Sequence, residues 1–188
     1  MANTVTNVSA GKPKVGGAIY VAPVGTTMPT DASSTLDTTK FKCLGYASED
    51  GLTNSNSPSV ENVKAWGGDT VLTTSSERPD TFKFTLLEIL NVDVLKLVYG
   101  AVNVSGTLET GISIAVNNDA TDEVAMVFEL ILRNNVVKRI CVPHCSVTEV
   151  GDITYTDSDA IGYETTITAL PDSSGTSHHE YIKAASTT

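Results

Sequence analysis

Apolar and polar residues alternate along much of the chain, and a period of two is typical of half-buried β-strands. In the segment DTFKFTLL, residues 80–87, the side chains of Phe82, Phe84 and Leu86 fall on one face. The segment DEVAMVFELILR, residues 122–133, has five apolar residues at alternate positions: Val124, Met126, Phe128, Leu130 and Leu132. Both segments are therefore predicted to be strands that bury one face.

Further strands are predicted where short runs rich in β-branched and aromatic residues end at turn-forming residues. Between residues 122–133 and 136–142, Asn134 and Asn135 predict a hairpin with a two-residue primed turn, because Asn tolerates positive φ. The remaining predicted strands are residues 17–23, 40–47, 109–116, 146–150, 153–155 and 161–170.

One α-helix is predicted, at about residues 91–99. Asn91 is a favourable N-cap, Asp93 lies in the first turn where the helix dipole favours an anion, and Gly100 is expected to end the helix in the left-handed conformation. Val94, Leu95, Leu97 and Val98 form its apolar stripe. A single helix among closely spaced strands predicts a mainly β fold: a small β-sandwich or barrel of two packed antiparallel sheets with one flanking α-helix.

The domain organisation follows from where this pattern starts and stops. Residues 1–16 are predicted to be a flexible N-terminal arm, residues 17–170 one β-domain, and residues 171–188 a C-terminal tail. Residues 48–80 are rich in Gly, Ser, Asn and Asp and are predicted to be one long loop, although residues 62–73 have strand character. A loop of this length in a compact domain is usually functional or disordered.

The long loop contains the only tryptophan of the chain, Trp66, followed by Gly67 and Gly68. Tryptophan is enriched at binding hot spots, so Trp66 is a candidate interface residue. The same side chain could simply cap the core. The sequence leaves both interpretations open.

Charge restricts the classes of partner. The chain has 12 Lys and Arg against 22 Asp and Glu, a formal net charge of -10 over 188 residues. Affinity for DNA depends on Lys and Arg side chains that neutralise phosphates, so this acidic balance disfavours a protein that binds DNA tightly. No apolar run of about 18 residues and no basic amphipathic stretch is present, so no membrane anchor is expected. The polar N-terminus lacks a secretory signal, which predicts cytoplasmic synthesis.

Two groups of side chains could ligate a metal ion. Cys141, His144 and Cys145 have a short ligand spacing, but zinc sites usually take four ligands. Cys141 and Cys145 also share the parity of one strand face, which favours packing in the core over metal binding. His178 and His179 adjoin the polar tail and are expected to be solvated.

No residue pattern supports catalysis. Asp157 and Asp159 superficially resemble the start of a calcium loop, but the twelfth position is Thr168 where a bidentate Glu is needed. The chain also lacks a phosphate-binding loop and the nucleophile elbow of esterases. It is therefore predicted not to be an enzyme and to hold no cofactor or metal.

Four longer segments together resemble the major tail tube protein of long-tailed, siphovirus-type bacteriophages. They are GAIYVAPVGT, LGYASEDGLTNSNSPSVENVKAWGGDTV, TFKFTLLEILNVDVLKLVYG and TEVGDITYTDSDAIGYETTITALPD, and the resemblance extends over about residues 17–182. It implies a structural virion protein. Six copies would form a ring, and rings would stack into an acidic-lined tube through which DNA is ejected into the host.

The resemblance also implies partners and contacts. The partners would be other copies of the chain, the tail tip, tape measure and tail terminator proteins, and DNA only as a transient, repelled cargo; the protein would be made in the host cytoplasm and reside in the phage tail. The long loop and both terminal arms would reach neighbouring subunits. The candidate contact residues are Trp66, Gly67 and Gly68 in the loop, with Leu95 and Tyr99 on the helix.

Two alternatives remain from the sequence. One is a related secretion-tube ring protein, which would share the fold and carry bacterial cargo. The other is a β-sandwich that serves as a binding or decoration module of the virion. The low aromatic content, 6%, does not favour a carbohydrate-binding surface.

Overall fold

The computed structural model of the chain describes residues 3–117 and 121–184. Within these ranges there is one α-helix, α1 (Val92–Tyr99), together with short 3-10 turns. The strands are β1 (Lys12–Pro13), β2 (Ile19–Pro23), β3 (Lys42–Cys43), β4 (Thr53–Asn56), β5 (Ser59–Lys64), β6 (Thr70–Glu77), β7 (Asp80–Leu86), β8 (Val104–Ser105), β9 (Ser113–Ile114), β10 (Val124–Ile131), β11 (Val137–Val150), β12 (Tyr163–Ala169) and β13 (His179–Lys183).

Nine of these strands form one antiparallel sheet. Seven of them follow the order β3-β2-β10-β11-β12-β7-β4, and β1 and β13 pair off this path. The sheet branches because the long strand β11 pairs with β13 over its first part and with β12 over its second. Strand β1 pairs with the end of β10, and β3 and β4 end the path without pairing with each other. The predicted mainly β fold with antiparallel pairing and one helix is confirmed. The nine-stranded sheet is branched and does not close into a barrel, and the remaining four strands form two separate two-stranded sheets, β5–β6 and β8–β9.

The hairpin of β10 and β11 lies at the centre of this sheet. Asn134 and Asn135 both have φ of 57°, the positive values predicted for a primed turn. The predicted two-residue length is wrong, because Ile131 pairs with Val137 and the loop consists of Arg133, Asn134 and Asn135. Strand β11 runs through the two predicted strands 136–142 and 146–150 without a break. It contains a bulge, because Val142 pairs with Met126 and Cys145 with Val124, so that two residues of β11 lie opposite one residue of β10.

The main core lies between this sheet and α1. Phe82 stacks on Phe128 with their ring centroids 5.4 Å apart, as the alternating pattern of β7 and β10 predicts. The helix buries its whole predicted apolar stripe. Asn91 Oδ1 accepts a hydrogen bond from the Asp93 backbone N–H at 3.0 Å, which confirms the N-cap. Gly100 has the expected positive φ, 89°, but its ψ of 139° differs from the predicted left-handed helical value.

Several predicted elements differ in the structure. The run 40–47 forms only β3 and an isolated bridge, 109–116 forms only β9, and 153–155 forms no strand. The predicted terminal arms also contribute to the sheet, since β1 pairs with β10 and β13 with β11. Backbone groups along a sheet edge bind an extended segment whatever its side-chain pattern. The polar composition of these segments therefore does not reveal their pairing.

Candidate assembly surface

The predicted long loop contains a two-stranded β-hairpin, β5–β6, which stands apart from the nine-stranded sheet. The prediction of one continuous loop over residues 48–80 is wrong here, because Val and Thr residues in the segment favour extended pairing despite its Ser and Asn content. Every residue of β5 and residues 70–75 of β6 are exposed. Val63 and Leu72 lie directly opposite each other with about half of each side chain exposed. The hairpin therefore has no core within its own subunit.

The tip of this hairpin presents the tryptophan. The Ala65 backbone N–H donates to the Asp69 carbonyl at 2.8 Å, and the Gly68 N–H donates to the Ala65 carbonyl at 3.0 Å. Gly67 and Gly68 have φ of 116° and 101°, a region that L-residues with side chains rarely adopt. Trp66 is fully exposed. The alternative in which Trp66 caps the core is thus excluded, and its role as an interface residue stays a prediction.

The other two candidate contact residues lie in the core region. Leu95 is only 3% exposed and belongs to the main core. Tyr99 is half-buried and packs edge-on against Tyr163, with ring centroids 5.8 Å apart. The structure therefore brings Trp66, Gly67 and Gly68 together at one exposed tip and places Leu95 and Tyr99 on a helix that packs inside the subunit. Because Leu95 is buried, its side chain is not available for a contact with another subunit, and the structure does not support this candidate.

A cleft of about 690 Å³ lies at the base of the same hairpin. Buried Asp80 accepts a hydrogen bond from Asn54 Nδ2 at 2.9 Å and contacts His178 Nδ1. The His178 ring also packs edge-on against Phe82 at 5.2 Å between ring centroids. The prediction of a solvated histidine pair is therefore wrong for His178 and holds only for exposed His179. Residues that line the cleft include Asn56, Arg78, Pro79, Pro171, Ser177 and His178.

The cysteines pack in the core, as predicted, but on opposite faces of β11. Cys141 contacts a smaller cluster and Cys145 the main core, because the bulge between them reverses the alternation. The prediction that they share one face is therefore wrong. Burial raises the pKa of Cys141 to about 11 and that of Cys145 to about 12.

The third candidate metal ligand, His144, contacts a carboxylate: its Nε2 lies 2.7 Å from Glu123 Oε2. Across the described ranges no group of three or more potential ligands surrounds a metal position.

A buried ion pair, absent from the sequence predictions, ties the second face of the sheet to the N-terminal segment. Arg139 and Glu129 lie opposite each other in β11 and β10, and both side chains are almost fully buried. Arg139 also donates to the Asp31 carbonyl at 2.8 Å and the Ser34 carbonyl at 2.7 Å. Lys14 Nζ lies 2.5 Å from Glu129 Oε2. The observed turn is centred at Asn134 and so places residues 129 and 139 opposite each other, whereas the predicted two-residue turn would have placed Glu129 opposite Ile140, which is why the pair was not predicted.

Negative charge is concentrated in the second half of the sheet. From residue 140 to residue 182 the sequence has no Lys or Arg and seven carboxylates: Glu149, Asp152, Asp157, Asp159, Glu164, Asp172 and Glu180. Asp152, Asp157 and Asp159 are exposed on the connection between β11 and β12. Glu164 and Glu180 pair with Lys83 and Lys138, each at 2.8 Å. The connection therefore carries a local excess of uncompensated charge.

Comparison with known protein families matches residues 6–188 to a family described as phage tail tube protein. The match covers nearly the whole chain, and the chain therefore belongs to the phage tail tube protein family. It is a structural component of the virion, and the family is typically not enzymatic. A comparison with curated proteins finds no match. In the described ranges no helix has both the length and the apolar character needed to cross a membrane.

Proposed function

We propose that six copies of the chain form a ring and that rings stack into the tail tube of a siphovirus-type phage, through which DNA is ejected. Family membership supports a tail tube subunit. The main structural support for this assembly is the exposed β5–β6 hairpin. The tube ends and interior would further meet tail tip, tail terminator and tape measure proteins.

The hairpin needs a partner because an isolated two-stranded hairpin is marginally stable in water. It carries several large apolar side chains that its own subunit leaves exposed: Val60, Val63, Trp66, Val71 and Leu72. Such a concentration of exposed apolar surface marks an interaction site. In a tube of identical subunits the surface available to cover it belongs to another copy of the chain.

The open edges of the main sheet support the same assembly. Strand β3 ends one side of the sheet path and β4 the other, and each presents unpaired backbone groups. Strand addition between subunits would satisfy these groups through main-chain hydrogen bonds. A closed ring removes the exposed edges that a single subunit carries.

The acidic balance suits a conduit for DNA. Carboxylates on the tube wall repel phosphates and offer no cationic sites at which the duplex could be held. At physiological ionic strength this repulsion extends only about 8 Å from the wall. We infer that a share of the uncompensated carboxylates lines the lumen, and the exposed group Asp152, Asp157 and Asp159 is the first candidate.

Negative-stain electron microscopy of the concentrated purified chain tests the assembly. We expect six-fold rings or tubes. The double variant V63S/L72S removes the apolar pair of the hairpin and should leave the subunit folded but strongly reduce tube formation. Tyr155→Ser is the matched control, because Tyr155 is an exposed apolar side chain outside the hairpin. Persistent monomers of the unmodified chain at high concentration would contradict the proposal.

A reconstruction of the tubes by cryo-electron microscopy tests the lining. We expect carboxylates to outnumber Lys and Arg on the inner wall, with Asp152, Asp157 or Asp159 among them. A neutral or basic inner wall would exclude the acidic conduit and would leave the ring assembly itself intact.

A further inference from the structure

We propose that the hairpin tip of one copy, residues 65–69, binds in the cleft at the base of the hairpin of the next copy. This inference rests on the proposed self-assembly and names the two surfaces that meet. The tip presents Trp66, and the cleft is bordered by Arg78, Pro79, Pro171 and His178.

A hairpin cannot place its tip in its own cleft. Strand β5 runs from Ser59 to Lys64 and is paired with β6 over its length, so it is extended. At about 3.3 Å for each residue the tip lies roughly 20 Å from the base. Asn56, Arg78 and Pro79, which line the cleft, lie within a few residues of that base in sequence. The tip and the cleft of one subunit are therefore held apart, and occupation of the cleft by a tip requires a second copy.

The chemistry of the cleft suits an indole ring. The rings of Pro79, Pro171 and His178 offer flat apolar and aromatic surfaces of the kind on which tryptophan packs. A volume of about 690 Å³ is within the size range of ligand pockets, which is large enough for a side chain and part of its turn. Burial of the fully exposed Trp66 would remove the largest exposed apolar side chain of the hairpin from water.

Opposite charges lie at the two ends of the hairpin. Arg78 at the base donates to Asn56 Oδ1, and in the described part of the chain it has no ion-pair partner. Asp69 at the tip likewise has no ion-pair partner among the described residues. A tip in the neighbouring cleft would bring Asp69 of one copy near Arg78 of the next. The Asp69 carboxylate of one copy and the Arg78 guanidinium of the next could therefore form an ion pair between subunits.

The contact is heterologous, because the tip and the cleft are different surfaces. Each copy offers one of each, so the contact repeats from copy to copy until a ring closes or a stack continues. A self-complementary contact would stop at a dimer. The inferred contact is therefore of the type that a tube requires.

Charge reversal tests the pairing of Asp69 with Arg78. We expect Asp69→Arg and Arg78→Asp, each alone, to reduce tube formation roughly tenfold or more, since like charges would then meet in the contact. The double variant D69R/R78D restores opposite charges and should recover assembly. Circular dichroism of all three variants checks that the subunit remains folded. Normal assembly of both single variants, or no recovery in the double variant, would overturn the pairing.

Cross-linking tests the contact directly. Ala65→Cys keeps Trp66 in place, and Ser177→Cys places a thiol in the cleft; both are made in a Cys43→Ser background, because Cys141 and Cys145 are buried. The two variants are mixed, assembled and mildly oxidised. A reducible dimer that requires both variants supports the inference. Tubes without that dimer would overturn it and leave the proposed function standing, whereas an unmodified chain that forms neither rings nor tubes would overturn both.

Discussion

Two of the antiparallel hairpins in the molecule, β10–β11 and β5–β6, have contrasting designs. The β10–β11 hairpin turns at Asn134 and Asn135, lies in the middle of a nine-stranded sheet and buries side chains on both faces. The β5–β6 hairpin turns at Gly67 and Gly68, pairs with no other strand in the described ranges and is exposed on both faces. Both have regular backbone pairing, so pairing alone does not distinguish them.

The difference lies in what the side chains can contact. In β10 the residues on one face enter the main core and Val127 on the other enters a second cluster, so removing any of them creates a cavity. In β5–β6 the apolar side chains contact solvent. Hairpins gain independent stability only from further strands or a packed layer. The comparison indicates that one hairpin stabilises the subunit and the other is available to a neighbour.

The largest expected difference between the two hairpins is in the hydrogen-exchange protection of their backbone amides in the unassembled chain. Amides of β10 and β11 are expected to open only with global unfolding, which for a domain of this size costs about 5–15 kcal/mol. Amides of β5 and β6 should open locally at a cost near zero, because no packed layer covers them. Mass spectrometry of proteolytic fragments from both regions measures the difference.

The same hydrogen-exchange measurement on assembled tubes tests whether the β5–β6 hairpin is buried by a neighbouring subunit. In tubes the protection of β5 and β6 should rise markedly, while that of β10 and β11 should change little. Equal protection of the two hairpins in the free subunit would contradict the division of roles between them.

The second prediction removes the ion pair beneath the β10–β11 hairpin. Arg139→Met leaves Glu129 buried with Lys14 as its remaining cation and deprives the Asp31 and Ser34 carbonyls of a donor. Breaking one side of a buried pair typically lowers the free energy of unfolding by about 3–5 kcal/mol. Urea denaturation of the unassembled subunit measures this loss.

The control for that variant is an exposed pair in the same sheet. Lys83→Met breaks the Lys83–Glu164 pair, in which about half of each side chain is exposed. Such pairs contribute about 0–1 kcal/mol. If the two variants lose equal stability, burial is not what makes the Arg139 pair important.

The sequence predicted those parts of the fold that follow from local periodicity. Strand β7, the α1 N-cap and the positive φ at Asn134 and Asn135 agree with the structure because each depends on a few adjacent residues. The bulge in β11 could not be read in this way, since it depends on the register with β10. Its omission led directly to the wrong assignment of Cys141 and Cys145 to one face.

The candidate site was only partly predictable. Trp66 was recognisable because it is the one tryptophan of the chain and lies in a polar segment, and Gly67 and Gly68 follow it directly; the structure places all three at one exposed tip. The cleft could not be predicted, because it combines residues near 56 and 78 with residues near 171–178. The resemblance implies a contact at Leu95, but Leu95 belongs to the apolar stripe that predicts the helix, and this stripe accounts for its burial.

The third prediction compares the two turns and has the smallest expected effect. The exposed Asn134 has φ of 57°, and an alanine with this backbone conformation costs about 1–2 kcal/mol. Asn134→Ala should therefore lower the free energy of unfolding by about that amount, as measured by urea denaturation. Asn134→Gly, which tolerates the same φ, is the control and should leave stability nearly unchanged.

Gly67→Ala introduces backbone strain of at least the same size at the tip of the other hairpin, because Gly67 has φ of 116°, while its added Cβ would contact no neighbouring side chain within 4 Å. Because β5–β6 contributes little to global stability, we expect the unfolding of the free subunit to change by less than about 0.5 kcal/mol. We expect Gly67→Ala to reduce tube assembly more than it reduces subunit stability, because the strained turn changes the orientation of Trp66 at the tip. A loss of global stability as large as that of Asn134→Ala would show that the exposed hairpin is part of the cooperative fold, and the distinction between the two hairpins would then be wrong.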